Sequence, residues 1–142
     1  MILFKKDISM FSKAKKHLIT FGLLLSTSVF ASDVEIVNVV LTKNTGTWRA
    51  DVTLNHADTG WEHYADAWRL LDEKGNELAK RTLYHPHVNE QPFTRSLSSI
   101  QIPKNAKIIY IEAHDFKRGW SPGKVKVDLA KSSGPKYTVK IR

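Results

Sequence analysis

The chain has 142 residues, with 22 Lys and Arg against 14 Asp and Glu, a net charge of +8 at pH 7, and no cysteine. That length suits one domain. The absence of thiols excludes disulfides, thiolate chemistry and cysteine-based zinc sites, so packing alone must hold the fold.

Residues 1–31 read as an export signal. Lys5, Lys6, Lys13, Lys15, Lys16 and His17 form a basic lead, Leu18 to Phe30 is mostly apolar, and Val29-Phe30-Ala31 offers small residues to a signal peptidase. The lead is long, and a start at Met10 instead of Met1 gives a more ordinary signal. The apolar run falls short of the roughly 20 residues a bilayer span needs. Residue 32 is serine, so no lipid anchor at that position is expected, and membrane contact is expected only through the signal during export. Cleavage after Ala31 leaves 111 residues with a net charge of +4. A periplasmic or secreted location follows, and nucleic acid is a poor partner there.

Strand signals dominate the remainder, taken as a domain over 32–131 and a basic tail over 132–142. Val34 to Thr42 is β-branched and alternating, Lys43-Asn44-Thr45-Gly46 is a turn, and Thr47 to Asn55 places Trp48, Ala50, Val52 and Leu54 on one face. After the loop His56 to Gly60, Trp61 to Leu71 reads as a strand carrying Tyr64, Trp68 and Leu70. Asp72 to Asn76 is a hairpin turn with Gly75 supplying a positive φ. Leu78 to His85 returns and is stopped by Pro86. Asn89 to Phe93 is a loop. Thr94 to Ile102 and Lys107 to His114 flank the turn at Pro103 to Ala106, with Ile109, Ile111 and Ala113 facing inward. A loop over Lys117 to Gly123 leads to a last core strand, Lys124 to Leu129. Lys136 to Arg142 is expected to add an edge strand or stay mobile.

About seven short strands at this spacing predict an all-β, two-sheet antiparallel sandwich of the immunoglobulin or fibronectin-III type. Residues 55–98 also contain the strings HADTGW, HYADAW and HPHVNEQPFTRSL. These resemble a group of short exported bacterial proteins carrying similar HADTGW, HYADAW and HPHVxEQPFTRSL strings. The resemblance implies export and no particular reaction.

In a seven-strand topology of this kind, the loops after the second, fourth and sixth strands share one pole. His56, His63, His85, His87 and His114 then gather there, with Asp58, Asp66, Glu90 and Asp115 near by. His85 and His87, two apart on a strand, would face one side and could address one ion, with His63 or His114 as third ligand and His56 as a substitute. Imidazole and carboxylate donors without soft sulfur ligands favour Zn(II) or Cu(II). The competing structural reading makes the histidines ordinary surface groups and Asp66, on the face of Tyr64 and Trp68, a buried carboxylate held by Arg95 or a histidine.

Trp61, Trp120 and Phe93 offer a rival use of the same pole, as stacking platforms for a sugar, another small ligand or a protein partner. The alternative is that Trp120 and Phe93 fold back to cap the open end of the sandwich. No nucleophile-elbow string, phosphate-cradling glycine loop or HExxH occurs, and nothing fixes the separation of Asp66 and Glu90. A non-enzymatic binding domain is therefore expected.

Overall fold

A computed structural model describes residues 33–142; the signal reading of 1–31 lies outside them. Ten strands follow in order: β1 (Glu35–Asn44), β2 (Thr47–Asn55), β3 (Ala65–Leu71), β4 (Glu77–Thr82), β5 (Phe93–Ile100), β6 (Ile108–Asp115), β7 (Gly119–Trp120), β8 (Val125–Asp128), β9 (Ser133–Gly134) and β10 (Tyr137–Ile141). They form two sheets, β5-β2-β1-β10-β9 and β4-β3-β6-β7, with β8 also pairing β6. The fold is the expected all-β sandwich. It has ten strands where about seven were expected, because the two-residue strands β7 and β9, together with β10, join the seven core strands.

The inner faces follow the alternation in the sequence. Trp48, Ala50, Val52 and Leu54 of β2 are buried, as are Ile109, Ile111 and Ala113 of β6. Trp68 and Leu70 of β3 are fully enclosed, and each such side chain contributes about 1.5–3 kcal/mol relative to exposure. β1 departs from strict alternation. A register shift between Ile36 and Asn38 lets Val34 and Ile36 face the core before the bulge and Val39 and Leu41 after it, leaving Val37 exposed.

The start of β3 and the end of β4 differ from the sequence expectation, and the tail takes one of its two expected forms by adding a strand. β3 begins at Ala65 rather than Trp61, since Thr59 N–H donates to the His63 carbonyl and His63 N–H to that of Gly60, closing a turn over 60–63. The tail is built into the domain. β10 runs parallel to β1 along its outer edge, and Tyr137 and Val139 enter the core. Gly134 admits this arrangement because a Cβ there would stand 2.3 Å from the Tyr137 ring.

β3 lies antiparallel between β4 and β6. The end of β2, the start of β3, the end of β4 and the end of β6 therefore meet at one pole, the one the sequence pointed to. The described residues also begin there, since Glu35 pairs with Asn55 and Val34 N–H donates to Ser121 Oγ. β10 finishes at the opposite pole, where Ile141 pairs with Lys43.

Candidate metal centre

Asp115 continues the inward parity of Ile109, Ile111 and Ala113, so the last residue of β6 puts a carboxylate at the end of the core, 1% exposed. The loop that follows fixes it. Oδ1 accepts the backbone N–H groups of Lys117 and Arg118, at 2.7 and 3.2 Å, in a tight return to β7. This leaves Oδ2 to face the histidines. Burial pushes the Asp115 carboxyl upward, but those two N–H groups and the nearby His63 and His56 outweigh it and hold it below the usual carboxylate range.

His56 leaves β2 with its side chain fully enclosed. Its Nδ1–H donates to Asp58 Oδ1 at 2.6 Å, which fixes the ring and leaves Nε2 directed inward. Nε2 lies 2.9 Å from Asp115 Oδ2 yet is not aligned for a hydrogen bond and has no other partner. His63, held by the 60–63 turn, brings its Nε2 to 2.8 Å from the same Oδ2. The two rings meet edge to face with centroids 4.9 Å apart. Among the described residues, His56, His63 and Asp115 form the group of three whose ligating atoms all lie within 4.8 Å of one another.

Asp58 anchors the arrangement. Its side chain is inaccessible, and it accepts His56 Nδ1–H, Ala65 N–H at 3.0 Å and His87 N–H at 2.7 Å. Gln91 links the same loops by accepting His56 N–H and donating to the His87 carbonyl. A histidine whose far nitrogen is pinned by a carboxylate is the usual supporting arrangement for a metal ligand. Two buried carboxylates also call for positive charge close by, which a divalent cation would supply in full with both imidazoles neutral.

Chemically, the trio offers two nitrogens and one oxygen, a set suited to zinc or another borderline cation with a position left for water. Ligands 2.0–2.1 Å from a tetrahedral ion stand roughly 3.3 Å apart, so the two contacts to Oδ2 would open by about 0.5 Å. As a hydrogen bond, the His63–Asp115 contact needs a proton on Nε2. As a metal ligand it would need none there, so uptake would move that proton to Nδ1 or to water.

The other predicted ligands lie outside this trio, with the His85 and His87 rings neighbours at 4.5 Å between centroids. β4 ends at Thr82, so His85 and His87 lie in an irregular segment where strand alternation does not apply. His85 is exposed, with Nδ1 3.1 Å from the Pro86 carbonyl. His87 turns inward and stacks on Phe93 at 3.9 Å between centroids. Neither of its ring nitrogens has a hydrogen-bond partner. Burial, then the charge of Arg95 and the neighbouring His85 ring, push its imidazole below the ordinary value. His114 faces outward, bonded to Asp66 at 2.5 Å and edge-on to Trp120. A histidine, not Arg95, therefore holds Asp66, which is partly exposed on the outer face rather than buried beside Trp68; Arg95 pairs with Glu90.

The aromatic trio divides as well. Phe93 is buried under His87, and Trp120 is half-buried with the Arg69 guanidinium 3.8 Å from its ring. Trp61 is 65% exposed, edge-on to Tyr64, which stacks on the exposed Phe116. Tyr64 and Phe116 were not singled out as a pair by sequence. Their positions directly after His63 and Asp115 are the signal that could have found them.

Over 77 residues the chain is 36% identical to a protein of Halomicrobium mukohataei described as "Putative lipoprotein". The match takes in 54% of this chain and 37% of that relative, so the chain spans little more than a third of the relative's length. No protein-family model and no solved structure matches the chain.

Proposed function

We propose that this is an exported, non-enzymatic binding domain that holds one divalent transition metal ion, Zn(II) or Cu(II), at His56 Nε2, His63 Nε2 and Asp115 Oδ2. One observation carries the reading. The enclosed Nε2 of His56 has no hydrogen-bond partner while its ring is locked by Asp58, and it converges with His63 on a single carboxylate oxygen. Export is supported by the basic and apolar lead and by the description of the similar protein as a lipoprotein.

Calorimetric titration with Zn(II) and with Cu(II) tests the proposal. One equivalent should bind, and His63→Ala, whose side chain is partly exposed, should lose it without unfolding. Retention of full affinity in His63→Ala, or no binding above background, overturns the assignment.

A second reading uses the same pole for ligand or partner recognition, favoured by the exposed Trp61 and Phe116 rings packed on either side of the buried Tyr64. Of the three aromatics expected to serve it, Trp61 alone is largely free. Glycan or partner capture that disappears in Trp61→Ala supports it; capture unchanged by that substitution removes it.

A further inference from the structure

We propose that the pole opposite the histidines binds a single-chain amphipathic carboxylate, of the fatty-acid class, in a groove of about 450 Å³ between the β1–β2 turn, the β5–β6 turn and the end of β8. That volume lies within the range of small-molecule sites, about 300–1,000 Å³. The floor is apolar, made by Trp48, Ile102 and Leu129. Around it stand Lys43, Lys104 and Lys107, all exposed and none in an ion pair with the described residues. Lys43 Nζ sits 5.8 Å from the centroid of the Trp48 ring, which places one ammonium at the margin of the apolar floor.

The other grooves sharpen the assignment. The one of about 530 Å³ is lined by several lysines, but Lys124, Lys131 and Lys136 are each paired with a carboxylate and Asp128 lines it too. The one of about 380 Å³ is lined by Asp72 and Glu73. Only the first of the three combines an apolar floor with ammonium groups and no lining carboxylate. Three like charges around apolar surface favour a ligand with an anionic head and a hydrocarbon body. The ammoniums stabilise the head, and the floor takes the chain out of water. A small inorganic anion would leave the floor wet, and an uncharged hydrocarbon would leave the lysines without a counter-charge.

The test is NMR titration of the protein, obtained by expressing the full chain, with sodium decanoate below its micellar concentration. Saturable shifts should centre on Trp48, Leu129 and the 103–107 turn. Decyltrimethylammonium, with the same chain and the opposite charge, should bind at least tenfold more weakly. The doubly substituted K104E/K107E, both in an exposed turn, should weaken decanoate at least tenfold while keeping its thermal midpoint. His63→Ala should bind decanoate as the parent does, so failure of the metal reading leaves this one standing. Equal binding of the cationic amphiphile, shifts scattered over the surface, or binding to anionic vesicles without a saturable response to free decanoate would each overturn the proposal.

Discussion

Replacing Asp58 by asparagine changes one charge and almost no volume, yet it should affect both stability and metal affinity. The two oxygens of Asp58 accept three hydrogen bonds, from His56 Nδ1, Ala65 N and His87 N, in a place solvent does not reach. An asparagine has one carbonyl oxygen. If its amide nitrogen takes the Oδ2 position, it faces the His87 N–H; if it takes the Oδ1 position, it faces two donors. At least one buried donor then loses its partner, which costs about 1–3 kcal/mol. For a domain of this size each kcal/mol lowers the thermal midpoint by about 4–8 °C. The His56 ring also loses the carboxylate that fixes its orientation, and loss of such a supporting group typically weakens metal binding about 10–100-fold. Urea unfolding in the presence of a chelator reads the first effect, and calorimetric titration with Zn(II) reads the second. A variant that is less stable but binds zinc as tightly as the parent would refute the claim that Asp58 orients a ligand. A variant unchanged in both would refute the hydrogen-bond arrangement itself.

Further predictions concern other parts of the molecule. Saturating Zn(II) at 100 times its Kd should stabilise the protein by about 2.7 kcal/mol in urea unfolding, and His63→Ala should show no such gain. The buried His87 ring has a lowered pKa. Its contribution to stability is therefore full above about pH 6.5, its unfolded value, and is lost as pH falls through the folded one. His87→Leu removes that dependence. The stability difference from the parent should shift in the variant's favour between pH 7.5 and 5.5 in urea unfolding; a constant difference would count against it. Gly134→Ala forces a methyl against the Tyr137 ring and should cost about 1–3 kcal/mol, whereas a tail merely appended to the domain would tolerate it. Trp61→Ala should change stability by no more than about 0.5 kcal/mol, since the ring is largely in solvent.

The sandwich was legible because β2 and β6 alternate cleanly and turn residues punctuate the chain, and the pole followed from strand order. The bulge in β1 was not legible, since Ile36, Val37, Val39 and Val40 give a nearly continuous apolar run in which either parity fits. At the site, His56, His63 and Asp115 were all placed near one another from sequence, but their weights were not. The two-residue spacing of His85 and His87 carries information only inside a strand, and β4 stops at Thr82. His56 ranked as a substitute because a residue opening a loop has no parity to read. Asp115 ranked as a mere neighbour, although the inward parity of Ile109, Ile111 and Ala113 extends to it. The pinning of His56 by Asp58 depends on the close return of the chain at Ala65 and His87, which no local pattern reveals.

Anomalous diffraction from crystals of the protein grown with Zn(II) tests the central claim most directly. The account predicts one strong zinc peak roughly 2.0–2.1 Å from His56 Nε2, His63 Nε2 and Asp115 Oδ2, with Asp58 still bonded to His56 Nδ1. A peak held instead by His85 and His87, or no zinc peak at His56 with the His63–Asp115 hydrogen bond intact, would contradict it.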